Sequence, residues 1–227
     1  MGILDMIGPV MVGPSSSHTA GAVRIARLAR YLLEEAPTRV SFGLHGSFAK
    51  TGKGHGTQLA LLAGVLGLEP DDERIKEARE LAAESGLEYS FASVELGDVH
   101  PNTVRLELEN DRERRVVVGS SIGGGLVRVW RVDGLDAYLS GEAPALLVRH
   151  EDRPGVIARV AAVLADEEIN IARIVSGREK RGGDALMSLE LDRAASPEAL
   201  AYLRHLSYVS WARPVPPLQH APLLQKT

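Results

Sequence analysis

From residue 145 onward the hydrophobic pattern changes period in a set order, and that order restricts the fold more than any other feature of the 227 residues. Ala145 to Arg149 reads as a strand and Gly155 to Ala165 as a helix. Ile169 to Val175 and Ala185 to Leu191 read as strands on either side of a turn at Arg178 to Gly183. Ser196 before Pro197 marks the start of a helix over Pro197 to Leu206. A serine caps the free N–H groups there, and a proline at the first helical position forfeits no needed donor. Tyr208 to Arg213 supplies a last strand, and βαββαβ is the order of the ferredoxin-like split unit. Pro214, Pro216 and Pro217 cannot feed a hydrogen-bond ladder, so residues 215–227 are expected to hang free.

Upstream the pattern is also mixed, and the expected class for the whole chain is α+β. Ile25, Leu28, Ala29, Leu32 and Ala36 recur at helical spacing with Arg24, Arg27, Arg30 and Glu34 on other faces, predicting a helix over Ala20 to Ala36 with one side on a sheet. Val40, Phe42 and Leu44 alternate as in a half-buried strand, and Gly52 to Gly56 reads as a loop feeding a buried helix from Thr57 to Leu66. Pro70 to Glu73 starts an exposed helix that Gly86 ends. Tyr89 to Leu96 is a further strand, Thr103 to Val118 a hairpin turning at Asn110-Asp111, and Val127 to Arg131 a strand. Residues 134 to 144 show no clear period, which places the expected boundaries at 1–143, 144–214 and a tail of 215–227.

The densest chemistry lies at Gly13-Pro14-Ser15-Ser16-Ser17-His18-Thr19, just before the first helix. Hydroxyls, an imidazole and free helix-start N–H groups crowded together can hold a small anion such as a carboxylate or phosphate. They can equally be one N-cap with spare hydroxyls, since capping needs a single serine. The net charge of −4 and an aromatic content of 4% argue against a nucleic-acid surface. No apolar run reaches the roughly 18 residues of a membrane span and no signal-peptide pattern opens the chain, so a cytoplasmic location is expected. There is no cysteine, which excludes disulfides, a thiol nucleophile and thiolate metal sites within these 227 residues.

Gly13 to Thr19 resembles the signature of the iron–sulfur L-serine dehydratases. Gly46-Ser47-Phe48-Ala49-Lys50-Thr51-Gly52-Lys53-Gly54-His55-Gly56-Thr57 and Ser121-Ile122-Gly123-Gly124-Gly125 resemble two further motifs of that family. The resemblance is to the smaller, beta part of these enzymes and runs through nearly the whole chain. It implies β-elimination of L-serine to pyruvate and ammonia at a [4Fe–4S] cluster, without pyridoxal phosphate. Clusters are normally held by thiolates, so the cluster would sit on a cysteine-bearing alpha subunit. His18 and His55 become the proton-transfer candidates, with His100 behind them, although a lone loop histidine is commonly just a surface or hydrogen-bonding residue. Ser16, Ser17, Thr19, Thr51, Lys53, Thr57 and Asn102 become candidates for binding substrate, and Lys53 could also simply solvate its loop. No metal ligand is assigned to this chain. Gly123 to Gly125 precedes a strand and not a helix, which excludes a dinucleotide fingerprint and suggests close approach of a partner loop.

The second half resembles the ACT domains, which bind amino acids and regulate metabolic enzymes. Asp152-Arg153-Pro154-Gly155-Val156 and Asn170-Ile171 match the two places where such domains hold ligand. The resemblance makes Gly155, Val156, Asn170 and Ile171 effector candidates. Gly155 allows close backbone approach at a helix start and Asn170 can both donate and accept, although both also suit ordinary turn chemistry. L-serine or another amino acid is the expected effector, with ACT domains self-associating. The first half also resembles the allosteric substrate-binding domain of some phosphoglycerate dehydrogenases, and that resemblance implies an alternative: a purely regulatory anion-binding subunit with no catalytic residue.

Overall fold

Helix α1 (Gly21–Tyr31) reads as amphipathic in sequence, yet every residue from Gly21 to Ala29 is buried, Arg24 and Arg27 among them. The computed structural model, which describes residues 15–51 and 56–218, shows the reason. One face of α1 lies on a sheet and the other against α3 (Thr57–Val65). The helix is therefore a middle layer rather than a surface one, and Arg24 and Arg27 are covered instead of solvated. Arg27 forms an ion pair with Glu69 just beyond α3. Each fully buried Leu or Ile in such a layer contributes about 1.5–3 kcal/mol. The helix ends at Tyr31, earlier than the expected Ala36, with Leu32 as its C-cap.

Two glycines set how closely α1 is packed. A Cβ on Gly64 of α3 would lie 2.4 Å from the Val23 carbonyl oxygen, and a Cβ on Gly21 would lie 2.1 Å from Ser121 Oγ. Because Gly64 meets Val23 and Glu69 meets Arg27, α1 and α3 run in the same direction, and their N-termini share one end of the layer.

The sheet beneath is built from β1 (Arg39–Leu44), β2 (Glu88–Ser93), β3 (Thr103–Glu109) and β4 (Arg114–Gly123), in the order β2-β1-β3-β4. β1 pairs parallel with β2 and antiparallel with β3, and β3 with β4 is the expected hairpin. Asn110 Oδ1 accepts from the N–H groups of Arg112 and Glu113 and so closes its turn. The glycine-rich stretch is only partly a loop, since a short helix α2 (Gly46–Thr51) opens it. The expected exposed helix is a 3₁₀ turn (Glu73–Glu77) running into α4 (Ala78–Glu84), capped by Asp72. Its largest buried side chain is Ile75.

Gly123, Gly124 and Gly125 have φ of 105°, 60° and 79° and turn the chain from β4 into β5 (Leu126–Val132). They satisfy a left-handed turn that side chains adopt poorly. The chain divides into two compact units between Arg128 and Val129, within β5 and earlier than the expected 143/144. Residues 134 to 144 contain a strand, β6 (Leu135–Leu139), with Leu135, Ala137 and Leu139 buried and Asp136 exposed. That is a period of two in a segment too short for it to stand out between turn formers.

In the second unit β7 (Ala145–Glu151), α5 (Val156–Asp166), β8 (Ile171–Arg178), β9 (Asp184–Leu191), α6 (Pro197–His205) and β10 (Val209–Val215) realise βαββαβ, in sheet order β10-β7-β9-β8. Leu146, Val148, Val160, Leu164, Met187, Leu189 and Leu203 fill the core between sheet and helices. Ser196 Oγ caps α6 by accepting from Ala199 N at 3.0 Å, with proline following as expected. β6 lies on β8 and β9: Tyr138 N–H donates to Ser188 Oγ at 2.9 Å, and the N–H and O–H of Ser140 donate to Glu190 Oε1. Ser188 and Glu190 of β9 thereby find partners on β6 and the residue after it.

The expected free tail needs correcting as far as it is described. β10 runs through Pro214 to Val215, because it is an edge strand where a missing N–H leaves no ladder bond unmade. Leu218 is only 3% exposed. Residues 219–227 lie outside the described residues.

The packing at Gly64 generates a stability prediction. Gly64→Ala is expected to lower unfolding free energy by about 1–3 kcal/mol, because the new methyl must push α1 off α3. Urea denaturation checks it, and an unchanged midpoint would mean that the helices separate freely.

Candidate functional site

The chain enters α1 through a π-helical turn, Ser16–Ala20, in which the Gly21 N–H reaches back to the Ser16 carbonyl. Such turns widen a helix locally and recur at functional sites. Ser15 is the cap: its backbone is extended (φ −146°, ψ 123°) and its Oγ accepts from His18 N at 3.3 Å. One serine of the three thus does the capping. Ser17 Oγ lies 3.2 Å from His18 Nδ1, and Ser15 Oγ lies 3.4 Å from the same atom.

The other ring nitrogen meets a different motif. His18 Nε2 is 3.1 Å from Ser47 Oγ at the start of α2, and the Phe48 ring stands edge-on to the imidazole with centroids 5.3 Å apart. Phe48 is fully buried and anchors that wall. Ser47 is itself held from below, its N–H donating to the Pro101 carbonyl at 2.8 Å. A Cβ on Gly46 (φ +55°) would come within 2.6 Å of that carbonyl oxygen, so glycine is required by conformation and by space together.

The loop before β3 connects the third motif. Ser121 N–H donates to the Asn102 carbonyl at 2.9 Å, and Thr103 Oγ1 bonds Ser120 Oγ at 2.7 Å. The three sequence motifs therefore meet around residues 15–18, 46–48 and 101–103. His100 and His45 border the same loop with their Nδ1 atoms committed, accepting from Asn102 N at 3.1 Å and Leu96 N at 3.3 Å. His18, by contrast, is flanked by hydroxyls on both ring nitrogens.

Of the candidates for catalysis and substrate binding, Ser16 and Ser17 are half-buried and lie at this cluster. Thr19 is 2% exposed and faces inward from the turn. Thr57 is fully buried at the first position of α3, its Oγ1 without a hydrogen-bond partner among the described residues, at the same end of the layer as the π-helical turn. Asn102 contributes its backbone to the cluster and is half-buried. Thr51 closes α2, with its side chain outside the described residues, as are Lys53 and His55 entirely. The sequence reading passed over Ser47 and the Pro101 carbonyl. Ser47 stood inside a quoted motif, and the signal for it was its place directly after a strand end and a glycine. No grouping of three or more His, Asp or Glu side chains that could hold a metal occurs among the described residues.

In the second unit Gly155 caps α5 in the left-handed region (φ +87°), with no side-chain cap on that helix start. Val156, taken as an effector residue, has its side chain in the core at 2% exposure, so only its backbone is available. Ile171 likewise packs against the core. Asn170 Nδ2 donates to Asp192 Oδ2 at 3.0 Å. Within one chain these places do not come together. Glu151 at the end of β7 is opposite Asp184, whereas Ile171 at the start of β8 is opposite Leu191 at the other end of β9. At about 3.3 Å per residue the two ends of that strand are roughly 20 Å apart.

The serine dehydratase beta chain family model matches residues 3–91, and the ACT domain model matches residues 145–204. A probable L-serine dehydratase beta chain of Bacillus subtilis is 43% identical over 204 residues, covering 90% of this chain and 93% of that one. The chain belongs to the L-serine dehydratase beta-chain family. The L-serine dehydratase beta chain of Peptoniphilus asaccharolyticus is 42% identical over 191 residues, 83% of this chain and 86% of its own. A D-3-phosphoglycerate dehydrogenase of Bacillus subtilis is 32% identical over 179 residues, 76% of this chain but 33% of that enzyme.

For this family member the ACT loop yields a pH prediction. The Gly182 N–H and, after it, the Arg178 guanidinium hold the Asp152 carboxylate below its ordinary range. A depressed folded value adds stability above the unfolded value of about 3.9, and that stability is lost as pH falls through the folded value. The melting temperature of Asp152→Asn is expected to fall below wild type near neutral pH and to converge with it in acid. A gap that persists unchanged in acid would rule out the carboxylate charge as its cause.

Proposed function

We propose that this chain is the beta subunit of an L-serine dehydratase, contributing substrate-binding and acid/base groups to the conversion of L-serine to pyruvate and ammonia. The observation that carries the proposal is His18, held between hydroxyls drawn from two motifs at a widened helix start. The serine hydroxyls of that turn suit a carboxylate, which the positive end of a helix also favours. An imidazole among hydroxyls can take up or release a proton near neutral pH. His55, Lys53 and Thr51 join the proposed site from the glycine-rich motif, and Ser16, Thr57 and Asn102 from its margin.

With no cysteine, this chain's donors do not fit a [4Fe–4S] cluster. The proposal places the cluster on cysteines of an alpha subunit, where a Lewis-acidic iron supplies the assistance a hydroxide leaving group needs, without pyridoxal phosphate. The beta-chain names of the relatives support such a partner.

The second unit is proposed as the amino-acid sensor, working as a pair. Gly155 and Asn170 lie at opposite ends of one sheet, so a site using both needs two copies. Titrating the full chain with L-serine by calorimetry is expected to show binding that Asn170→Ala reduces at least tenfold, roughly the loss of a hydrogen bond to a charged ligand. Unchanged heat in the variant would remove Asn170 from the site.

The match to phosphoglycerate dehydrogenases favours one other reading, in which the first unit binds an anion without chemistry. Turnover separates the two. In the enzyme assembled anaerobically with its partner, His18→Ala and Ser17→Ala are expected to lower kcat by about 10² with folding intact, the scale of a lost acid–base or electrostatic group. Near-normal kcat with an altered response to amino acids would decide for the regulatory reading.

A further inference from the structure

Asn170 enters the proposed effector site with the two ends of its amide already told apart. Its Nδ2 donates to Asp192 Oδ2 at 3.0 Å. An ionised carboxylate offers only lone pairs, so the end that meets Asp192 has to be the NH₂ end, and the amide oxygen is the end left over. Among the described residues that Oδ1 has no hydrogen-bond partner, and the side chain is exposed.

Resting on the proposed amino-acid sensor, we infer that Asp192 is the positioning residue of that site: it holds the Asn170 amide with Oδ1 outward as an acceptor, and so selects an effector that brings a proton donor, its α-ammonium, to Asn170. An ammonium there gains a hydrogen bond to Oδ1 and the attraction of the Asp192 charge beside it. A carboxylate in the same place would meet an acceptor and a like charge, which is discrimination by repulsion as well as by attraction. The effector's own carboxylate is left for the positive end of α5 at Gly155 of a second copy. The α-ammonium is also the group that the proposed reaction removes from L-serine. A site built this way responds to the substrate and passes over pyruvate.

The backbones that carry the pair are fixed on both strands. Asp192 N–H donates to the Asn170 carbonyl at 3.2 Å, so the two residues are tied by main chain as well as by side chain. Before Asp192, the Leu191 N–H donates to the Pro144 carbonyl at 2.8 Å, and after it the Arg193 guanidinium donates to the Glu167 carbonyl. Asn170 stands between Ile169, whose N–H donates to the Leu164 carbonyl at 2.9 Å, and Ile171, and both isoleucines pack on the core. An exposed amide is thereby carried on a rigid base, as an orienting contact demands.

Two measurements on the full chain test the role. The first follows the side-chain amide resonances of Asn170 in the ¹⁵N-labelled protein, assigned by Asn170→Ala. Asp192→Ala is expected to move them to the position of a solvated amide and Asp192→Glu to restore them, a response that a general loss of packing would not single out. The second is calorimetry with L-serine and with β-hydroxypropionate, which is L-serine without its ammonium. Wild type is expected to bind L-serine and to give no heat with β-hydroxypropionate, and Asp192→Ala to raise the Kd for L-serine about tenfold, with most of it recovered by Asp192→Glu. Asn170 resonances identical in wild type and Asp192→Ala, or equal affinity of wild type for the two ligands, would overturn the assignment. Failure of the sensor reading shows separately: L-serine then gives no heat with wild type, the selection falls with it, and the resonances still report whether Asp192 holds the amide.

Discussion

Everything at the first unit's site depends on how closely α1 approaches its two neighbours. Gly64 brings α3 against the Val23 carbonyl, and Gly21 brings the helix start against Ser121 of β4, at distances that exclude even a methyl group. Those two contacts fix the height and direction of α1 in the layer. They also fix the π-helical turn that precedes it, because the turn continues the same backbone. His18 is consequently placed by core packing, although it is itself only half-buried.

The opposite wall reaches His18 by a separate route. β1 delivers the chain to Gly46, whose left-handed backbone reverses it over Pro101, and Ser47 then meets the imidazole from the side away from Ser17. The loop that supports Ser47 is in turn tied to β4 through Asn102 and Ser121. Strand end and hairpin thus converge through backbone hydrogen bonds, and the helix start meets them through Gly21 against Ser121 and His18 against Ser47.

Much of this was legible in the residues. The period change after 145, the Ser196-Pro197 start and the Asn110 turn are local signals, and each matches the observed element. The motif at 13–19 pointed to His18 and Ser17 because hydroxyls and imidazole crowd a helix start. What sequence could not show was the third dimension of α1: a helix with arginines at intervals reads as a surface helix, and only the layer on its far side turns Arg24 and Arg27 inward. Ser47 escaped for a similar reason, being ordinary as a residue and special only through a contact with His18 across 29 positions. Val156 and Ile171 fell the other way, since their place in the motif marked the loop and strand end while their side chains went to the core.

The second unit extends the same dependence on surroundings. β6, read from sequence as a featureless linker, covers the sheet face of β8 and β9 by giving its N–H groups to Ser188 and Glu190, and Arg173 stacks on Tyr138 at 4.1 Å from the ring centre. With α5 and α6 on the other face, β9 is covered on both sides, while β8 is the last strand of its sheet and has no fully buried residue. Ile174 on one of its faces is 43% exposed, and its outer backbone groups lie along an edge. An edge of unpaired backbone groups is where strand addition from another copy is geometrically easiest. Pairing along β8 would also set Asn170, at the start of that strand, near residues a second chain brings. The roughly 20 Å between the strand ends that carry Gly155 and Asn170 in one chain follows from strand length, so the proposed pairing of two copies would bring such groups together without movement within the unit.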